Sequence, residues 1–382
     1  IRGELPRTDD SPKYAPEVIE AKVVGWIKDN TVISTGELKA GENVALLLSR
    51  TNFYGEQGGQ VGDIGTIRSE TGADFEVEDS QRLGDAVLHL GVLHEGKLAV
   101  GGTVTLTQGT YRRLDIMRNH TATHLLNLGL REVLGGDIEQ KGSLVDEAKT
   151  RFDFSHGSPL TPDEIREVEV LVNQRIMRDL PVHATTMPLA TAKQLPGVRA
   201  VFGEKYPDPV RVVAIGPDSP EQATHDDSVE FCGGTHLPRT GIIGTFKIIS
   251  QDAVSKGVRR VTGITGNAAF HHVQKLSSTV ERLTASFSCS VEELPTRIEA
   301  LQEEVKKLQK QVQKGNAGDL NSAADRVLET ATEINGVKLL VGAVPAGTAE
   351  AMRAQVDRLR QKAGTSVIVL GWKNEDGTAG LV

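Results

Sequence analysis

The chain has 382 residues, of which 25% are charged and 38% hydrophobic, a composition typical of folded proteins rather than disordered ones. No apolar run approaches the roughly 18 residues that span a bilayer, which excludes a membrane-embedded protein, and two cysteines are too few for a disulfide framework. The net charge of −8 means that any contact with nucleic acid must come from locally concentrated cations. We expect a cytoplasmic protein with two or three domains.

The first part of the sequence predicts a linker followed by a small barrel. Residues 1–19 carry several prolines among charged residues, a composition typical of a linker. Between residues 20 and 110, short runs rich in valine, leucine and isoleucine alternate with glycine-containing turns. Several short strands at such intervals predict a small β-barrel.

Residues 111–290 carry a mixed pattern of helices and strands. A leucine-rich stretch over residues 117–134 predicts a helix, and Thr161 with Glu164 three residues later predicts the start of a second one. Strand-like runs follow, among them Val182–Met187 and Val210–Ile215. This order predicts an α+β domain whose sheet is covered by helices on one side.

Residues 291–332 predict a charged linker helix with an apolar seam. Five apolar residues recur at alternating steps of three and four, namely Ile298, Leu301, Val305, Leu308 and Val312. Gly315 and Gly318 predict the end of this helix, with a further short helix after them. Because the seam is short, we expect it to pack against a neighbouring domain or a weakly paired helix. Residues 333–382 predict a partial α/β domain that begins with a strand, a helix and a strand.

Two pairs of potential metal ligands stand out. His120 and His124 are four residues apart, so on a helix both point to one face, although such pairs also occur on solvated helix surfaces. Cys232 and His236 flank two glycines, which suits a tight loop around a cation or a cysteine buried in a glycine turn. Three imidazoles and one thiolate together suit Zn²⁺. Thr121 stands where a zinc protease motif requires glutamate, which argues against a metalloprotease.

Three acidic residues precede the second pair. Asp226 and Asp227 are predicted to lie in a solvated loop. Glu230 either belongs to that loop or is an outer partner of a metal-binding imidazole, and the sequence leaves both interpretations open.

Several motifs together resemble the editing domain of alanyl-tRNA synthetases and of the free-standing AlaX deacylases. In chain order, they are the glycine-rich loop from Tyr54 to Gln60 with Asp63 and Gly65, Arg118-Asn119-His120 through Leu126, Gln140-Lys141-Gly142-Ser143, and Cys232 through His236. The most specific is the split HxxxH and CxxxH pair in this order. Pro295 with the heptads after it resembles the family's linker helix, and the last part resembles the start of its C-terminal domain.

This resemblance implies a function. The family hydrolyses tRNA(Ala) mischarged with serine or glycine, so we expect a zinc-dependent aminoacyl-tRNA deacylase whose partner is the acceptor end of such a tRNA. The family's ATP-binding class II catalytic domain has no counterpart among these motifs, which predicts a piece of a longer synthetase acting in protein biosynthesis. The alternatives are an inactive tRNA-binding or oligomerisation module, with self-association through the C-terminal part, and a free-standing AlaX-type deacylase.

The resemblance and the residues also predict the site. In the family, the positions of Thr123 and Gln140 are associated with recognition of serine, and the helix places Thr123 on the side of the two histidines, with its hydroxyl towards the metal. A shell of four protein ligands is closed, so catalysis would need a weak ligand, a ligand displaced by water or an expanded shell, and the sequence leaves these alternatives open. Cys232 is assigned to catalysis as well as to the metal. The predicted substrate contacts are Gly58, Gly59, Gln60, Arg118, Lys256, Arg259 and Arg260, with Arg112 and Arg113 as further cations.

Overall fold

The computed structural model describes residues 1–15, 17–135, 138–200, 205–374 and 377–382, without the side chains of residues 313–317. The chain divides into two units, Ile1–Lys275 and Leu276–Val382. The architecture is α+β, as the sequence predicted. Among the described residues, no helix combines the length and the apolar character needed to cross a membrane. The finer division into parts ending at residues 110, 290 and 332 remains a prediction.

The first part of the first unit, where apolar residues alternate and glycines are frequent, forms a closed antiparallel barrel. The strands of this region are β1 (Ile19–Lys28), β2 (Thr31–Ile33), β3 (Glu37–Lys39), β4 (Asn43–Leu48), β5 (Gly65–Arg68), β6 (Asp74–Leu83), β7 (Ala86–Glu95), β8 (Lys97–Ala99) and β9 (Thr103–Gln108). The ring runs β1, β4, β7, β6, β5, β9 and back to β1, where Ile19 pairs with Leu106. Trp26, Leu46 and Phe75 lie in its buried core. The predicted small barrel is therefore confirmed.

The N-terminal segment packs on the barrel, which differs from the linker predicted for residues 1–19. It contains a 3-10 turn at Ser11–Tyr14. Lys13 is buried, and its ammonium pairs with the carboxylate of Asp10 at 2.7 Å. The carbonyl oxygen of Lys13 accepts a hydrogen bond from Arg113 at 2.7 Å. Charged residues that resemble a solvated linker in sequence thus satisfy one another against the barrel.

The second part of the first unit is built around a long helix. Its elements are α1 (Thr110–Leu134), β10 (Gln140–Val145), β11 (Thr150–Ser155), α2 (Pro162–Met177), β12 (Val182–Met187), α3 (Leu189–Ala192), β13 (Val210–Ile215), β14 (Ser228–Phe231), β15 (Phe246–Ser255), β16 (Val258–Thr265) and the first part of α4 (Gly266–Phe287), a helix whose residues after Lys275 belong to the second unit. An antiparallel sheet has the order β10, β11, β16, β15, and α1 and α2 pack on it around Phe152 and Phe246. Thr161 and Glu164 form the predicted capping box of α2.

A second sheet of order β12, β13, β14 stands apart from the first. The sequence pattern predicted β12 and β13 but not β14, which is short and follows an acidic loop. All four residues of β14 are buried, and Phe231 pairs with Val212 of β13. The single sheet expected from the sequence is therefore two sheets, because alternation of residues along a strand does not reveal its neighbours.

The second unit contains α5 (Leu294–Glu329), β17 (Thr332–Ile334), β18 (Val337–Ala343), α6 (Ala349–Ala363), β19 (Ser366–Lys373) and β20 (Ala379–Leu381). Its sheet has the order β17, β18, β19, β20. β18 and β19 are parallel, and α6 connects them, so the predicted strand, helix and strand form a β-α-β unit. Leu340, Met352 and Leu370 are fully buried in the core of this unit.

The helix α5 is longer than the sequence predicted and continues through Gly315 and Gly318. A glycine inside a helix costs only ~1 kcal/mol relative to alanine. The buried contacts of Leu320 and Ala324 further along the same helix offset that cost. The expected packing of the seam is not observed among the described residues, because the seam residues after Ile298 are 44–61% exposed, namely Leu301, Val305, Leu308 and Val312.

Candidate metal centre

The long helix α1 carries the first pair of predicted ligands. Between residues 119 and 130, every side chain of α1 is buried. Polar side chains in this stretch therefore need partners inside the protein. The imidazoles of His120 and His124 stack on consecutive turns, with ring centroids 5.4 Å apart and planes that differ by 8°.

The loop after β14 carries the second pair. It passes so close to α1 that a Cβ atom on Gly234 would lie 2.0 Å from Cε1 of His120, so only glycine fits there. The ring of His236 lies 4.4 Å from that of His120 and 4.8 Å from that of His124, measured between centroids. The two pairs, more than a hundred residues apart in sequence, thus meet in space.

Four potential ligand atoms converge at this point. The Sγ of Cys232 lies 3.4 Å from Nε2 of His120 and 3.3 Å from Nε2 of His236. The ligand atoms of these residues and His124 all lie within 4.8 Å of one another. In a tetrahedral zinc site with usual bond lengths, a sulfur ligand and a nitrogen ligand are about 3.6 Å apart. The residues therefore fit a metal ion of this kind.

Burial and mutual charge set the protonation of this group. Burial raises the pKa of the Cys232 thiol, but the imidazoles around it lower that pKa well below the usual range. Burial lowers the pKa of His124, yet the charges of Glu230 and Cys232 raise it to about 10. A thiolate is the form of cysteine that binds metal, whereas His124 must release a proton when a metal binds.

Two of the three imidazoles contact a second polar side chain through Nδ1, and these side chains belong to α1 and β14. Nδ1 of His124 lies 2.7 Å from one carboxylate oxygen of Glu230, and the other oxygen accepts a hydrogen bond from Asn127 at 2.9 Å. Nδ1 of His236 lies 3.4 Å from the hydroxyl of Thr121. Pairing of this kind orients metal-binding imidazoles. The structure therefore selects the outer-partner interpretation of Glu230, while Asp227 only closes a turn through Thr224.

The glycine-rich loop meets the centre through Gln60. This residue is fully buried, and its Oε1 lies 2.7 Å from Nδ1 of His120. Gly59 has a positive φ of 82°, and a Cβ atom there would lie 2.4 Å from the carbonyl oxygen of Ser143. Of the three predicted substrate contacts in this loop, Gly58 is exposed, whereas Gln60 is buried and contacts His120 instead of solvent.

Thr123 and Gln140, the two predicted contacts to serine, have hydrogen-bond partners of their own. The hydroxyl of Thr123 donates to the carbonyl of Asn119 at 2.7 Å and lies 2.6 Å from the hydroxyl of Thr150. Its bonds therefore run to α1 and β11 and not to the histidines, unlike the expectation from helix geometry alone. The amide of Gln140 donates to the hydroxyl of Ser143 at 3.3 Å.

The predicted cations do not form one patch. Arg259 and Arg260 are neighbours on β16 and so point to opposite faces of the sheet. Arg260 makes two hydrogen bonds to the carboxylate of Asp153, at 2.6 and 2.8 Å. Lys256 is exposed at the turn between β15 and β16. Because side chains alternate between the two faces of a strand, two arginines that are adjacent in sequence do not form a common cationic surface.

The cations that precede the histidine pair are bound within the protein. Arg113 is buried and pairs with Asp63 of the glycine-rich segment. Arg112 donates to the carbonyl of Gly62 at 2.7 Å. Arg118 donates to the carbonyl of Ile242 at 2.9 Å. These contacts give the three arginines structural roles that the sequence did not predict.

The sequence missed two residues that hold the loop after β14. The hydroxyl of Tyr14 donates to the carbonyl of Gly233 at 2.9 Å. The guanidinium of Arg211 donates to the carbonyls of Cys232 and Gly234, at 2.7 and 2.9 Å, and lies 4.0 Å from the ring centroid of Tyr14. Arg211 is the only charged residue in β13, which is the signal that could have identified it.

Comparison with known proteins matches two family models to this chain. The model for class II (A) tRNA synthetases matches residues 2–111, which include the barrel. The model for the second additional domain of threonyl and alanyl tRNA synthetases matches residues 210–262, which include the loop with Cys232 and His236. The first match includes the glycine-rich loop from Tyr54 to Gln60, which is one of the motifs that resemble the alanyl-tRNA synthetase family.

Curated relatives match nearly the whole chain. The alanine–tRNA ligase of Delftia acidovorans is 41% identical over 351 residues, which are 92% of this chain and 39% of the ligase. The alanine–tRNA ligase of Thiobacillus denitrificans is 42% identical over 364 residues, which are 95% of this chain and 40% of the ligase. The chain thus spans about two fifths of the length of these relatives. On this similarity, the chain belongs to the alanine–tRNA ligase (alanyl-tRNA synthetase) family.

Proposed function

We propose that this chain hydrolyses tRNA(Ala) mischarged with serine or glycine, in a zinc-dependent proofreading reaction. The observation that carries the proposal is the convergence of His120, His124, Cys232 and His236 in a chain of this family. Membership of the family alone would be equally compatible with a part that only binds tRNA. A group of three imidazoles and one thiolate, two of them on buried residues, has no need to form in such a part.

The reaction cleaves the ester between an aminoacyl group and a ribose hydroxyl of tRNA. A bound zinc ion would supply a Lewis-acidic centre for the aminoacyl group and water. The residues of this chain would hold the zinc ion and orient the aminoacyl end of the substrate. Cys232 is proposed for both ligation and catalysis, because a shell of four protein ligands is closed and hydrolysis needs an open position.

Recognition of serine is proposed to rest on one lone pair of Thr123. A hydroxyl has one proton to donate and two lone pairs to accept with. The hydroxyl of Thr123 donates its one hydrogen bond to the carbonyl of Asn119. In the contact between Thr123 and Thr150, the hydroxyl of Thr150 must therefore be the donor. One lone pair of Thr123 is left to accept a hydrogen bond from a serine hydroxyl. Gln140, at the start of β10, is the second proposed contact.

The partner of the site is proposed to be the acceptor end of tRNA. Contacts to phosphate position nucleic acid without reading its sequence. Lys256 is exposed, so it is the proposed cation best placed to contact phosphate. The other three already donate hydrogen bonds within the protein and would have to contact phosphate in addition, namely Arg118, Arg259 and Arg260. Gly58 is proposed to offer its backbone to the acceptor end.

Metal content and deacylation of seryl-tRNA(Ala) measured together test this proposal. We expect about one zinc ion per chain, the number that four ligands can hold. His124→Ala should lose zinc and activity together, because it removes a ligand. His271→Ala is a matched control, since His271 is exposed and lies outside the group.

Two results would contradict the proposal. Full deacylation by metal-free protein would exclude the zinc dependence. Tight binding of tRNA without turnover, by protein that holds its zinc, would favour the alternative of a binding module.

A further inference from the structure

We propose that Gln60 is a positioning residue that decides which nitrogen of His120 faces the metal. The inference rests on the proposed metal centre, but its central observable is a property of the metal-free protein. Gln60 comes from the segment between β4 and β5, whereas the four ligands come from α1 and from the loop after β14. The barrel would then contribute directly to the metal centre.

The orientation of the Gln60 amide follows from its neighbour Thr235. The backbone N–H of Thr235 points to the amide at 2.9 Å, and a backbone N–H can only donate. The atom of Gln60 that faces it must therefore be the oxygen Oε1. The amide nitrogen of Gln60 then donates to the hydroxyl of Thr235 at 2.9 Å, so both ends of the amide are satisfied.

This orientation determines the tautomer of His120. The same Oε1 lies 2.7 Å from Nδ1 of His120. Because Oε1 can only accept, Nδ1 must carry the proton. In the neutral ring, the lone pair is then on Nε2, which lies 3.4 Å from Sγ of Cys232 and faces the other ligands. Two contacts thus lead from the backbone N–H of Thr235 through Oε1 of Gln60 to the His120 ring and so determine which of its nitrogens is the ligand atom.

Gln60 is held rigidly enough to play this part. It is fully buried. The loop beside it docks on the end of β10, where the N–H of Val145 donates to the carbonyl of Gly59 at 2.7 Å and the N–H of Val61 donates to the carbonyl of Val145 at 3.1 Å. The backbone of Gly234 passes close to this amide, since a Cβ atom there would lie 2.9 Å from Oε1 of Gln60.

Three variants separate the hydrogen bond from the shape of the side chain. Gln60→Leu keeps a similar volume but has no acceptor for His120. Gln60→Glu keeps an acceptor oxygen, and the hydroxyl of Thr235 can turn to donate to the second oxygen. Gln57→Leu makes the same change three residues earlier in the loop and is the matched control.

The first measurement is the tautomer of His120 in metal-free protein, read from ¹⁵N shifts of the imidazole at a fixed pH near 8. The parent and Gln60→Glu should carry the proton on Nδ1, whereas Gln60→Leu should shift towards the tautomer with the proton on Nε2. The second measurement is zinc affinity by competition with a chelator. We expect Gln60→Leu to bind zinc about 10–100-fold more weakly, with little change in Gln60→Glu or Gln57→Leu.

The outcomes separate this inference from the proposed function. A neutral His120 ring with its proton on Nε2 alone in the parent, or an unchanged tautomer and zinc affinity in folded Gln60→Leu, would overturn the role of Gln60. If Gln60→Leu does not fold, the parent tautomer decides alone. A parent that binds zinc but does not deacylate tRNA would contradict the proposed function and leave the role of Gln60 intact.

Discussion

At the scale of single residues, the buried threonines of α1 differ in which hydrogen bonds their hydroxyl groups already make. Thr121 accepts from the N–H of Leu237 at 3.1 Å and so supports the loop that carries His236. The hydroxyl of Thr123, two residues later, donates a hydrogen bond to the carbonyl of Asn119. Two threonines on one helix therefore have separate tasks, although their chemistry is the same.

Replacing Thr123 by valine tests the reading of serine. Thr123→Val keeps the shape but removes the accepting lone pair, so hydrolysis of seryl-tRNA should fall by roughly 1–3 kcal/mol, about 5- to 150-fold in kcat/KM. Hydrolysis of glycyl-tRNA should not change, because glycine has no hydroxyl to read.

Thr150→Val is the control for that variant, since it removes the same contact between threonines but leaves the hydroxyl of Thr123. An equal loss of seryl-tRNA hydrolysis in the two variants would assign Thr123 to packing. Unchanged hydrolysis by Thr123→Val would mean that another residue reads serine.

His89 makes the barrel sensitive to acid. It is fully buried between the hydroxyl of Thr51 and the carbonyl of Leu46, and burial lowers its pKa to about 4. The unfolded chain binds a proton below a pKa of about 6.5, whereas the folded barrel does not until about pH 4. The stability of the barrel should therefore fall as the pH drops from 6.5 to 4, by up to about 3 kcal/mol.

Urea unfolding followed by tryptophan fluorescence checks this prediction. The chain has two tryptophans, so in a Trp372→Phe background Trp26 reports the barrel alone. His89→Gln should flatten the dependence of stability on pH in this range, whereas His271→Gln should not. An identical dependence in parent and His89→Gln would show that other groups cause the acid sensitivity.

At the scale of elements, one buried ion pair joins α1 to the barrel. The guanidinium of Arg113 contacts both carboxylate oxygens of Asp63, and it also donates to the carbonyl of Asn52 at 3.1 Å. Asp63 in turn accepts from the N–H of Tyr54 at 2.7 Å. The helix that carries two ligands is thus fastened to the loop that carries Gln60.

Breaking this pair should destabilise the first unit strongly. Arg113→Met leaves the carboxylate of Asp63 buried without its partner, a change that typically costs ~3–5 kcal/mol. The free energy of unfolding in urea, read by Trp26, measures the effect. Arg112→Met is the control, because Arg112 is partly exposed and its ion pair with Glu147 is worth ~1 kcal/mol or less. A loss below ~1 kcal/mol in Arg113→Met would contradict a structural role for the pair.

At the scale of the whole molecule, every residue proposed for the site lies in the first unit, between Gly58 and Arg260. The second unit has a core of its own, centred on residues such as Leu340 and Met352. We therefore propose that the first unit carries out the chemistry, and that the second unit adds contacts to tRNA and mediates self-association.

A chain that ends at Ser290 tests this division. It should keep the turnover of the full chain on saturating seryl-tRNA, because it retains the four ligands and their partners. Its KM should rise if the removed part contacts tRNA. Loss of turnover at saturation, in protein that is folded and loaded with zinc, would show that α5 shapes the active site.

The sequence by itself determined what depends on neighbours along the chain. The spacing of His120 and His124 on a helix, the turn at Gly234 and the capping box at Thr161 are local patterns, so periodicity and residue type predict them. The barrel and the β-α-β unit were predictable for the same reason. The continuation of α5 through Gly315 was not, because the cost of one glycine is small compared with packing contacts further along the helix.

Only the tertiary structure decided which distant groups meet. Gln60 reaches His120 across 60 residues, and Tyr14 reaches Gly233 across 219. The partner of a buried polar side chain depends on which elements pack together, and no spacing along the chain encodes that choice. Sequence adjacency even misled for Arg259 and Arg260, because a strand sends neighbouring side chains to opposite faces. The four candidate ligands could therefore be picked out from the sequence, whereas the partners of their side chains required the fold.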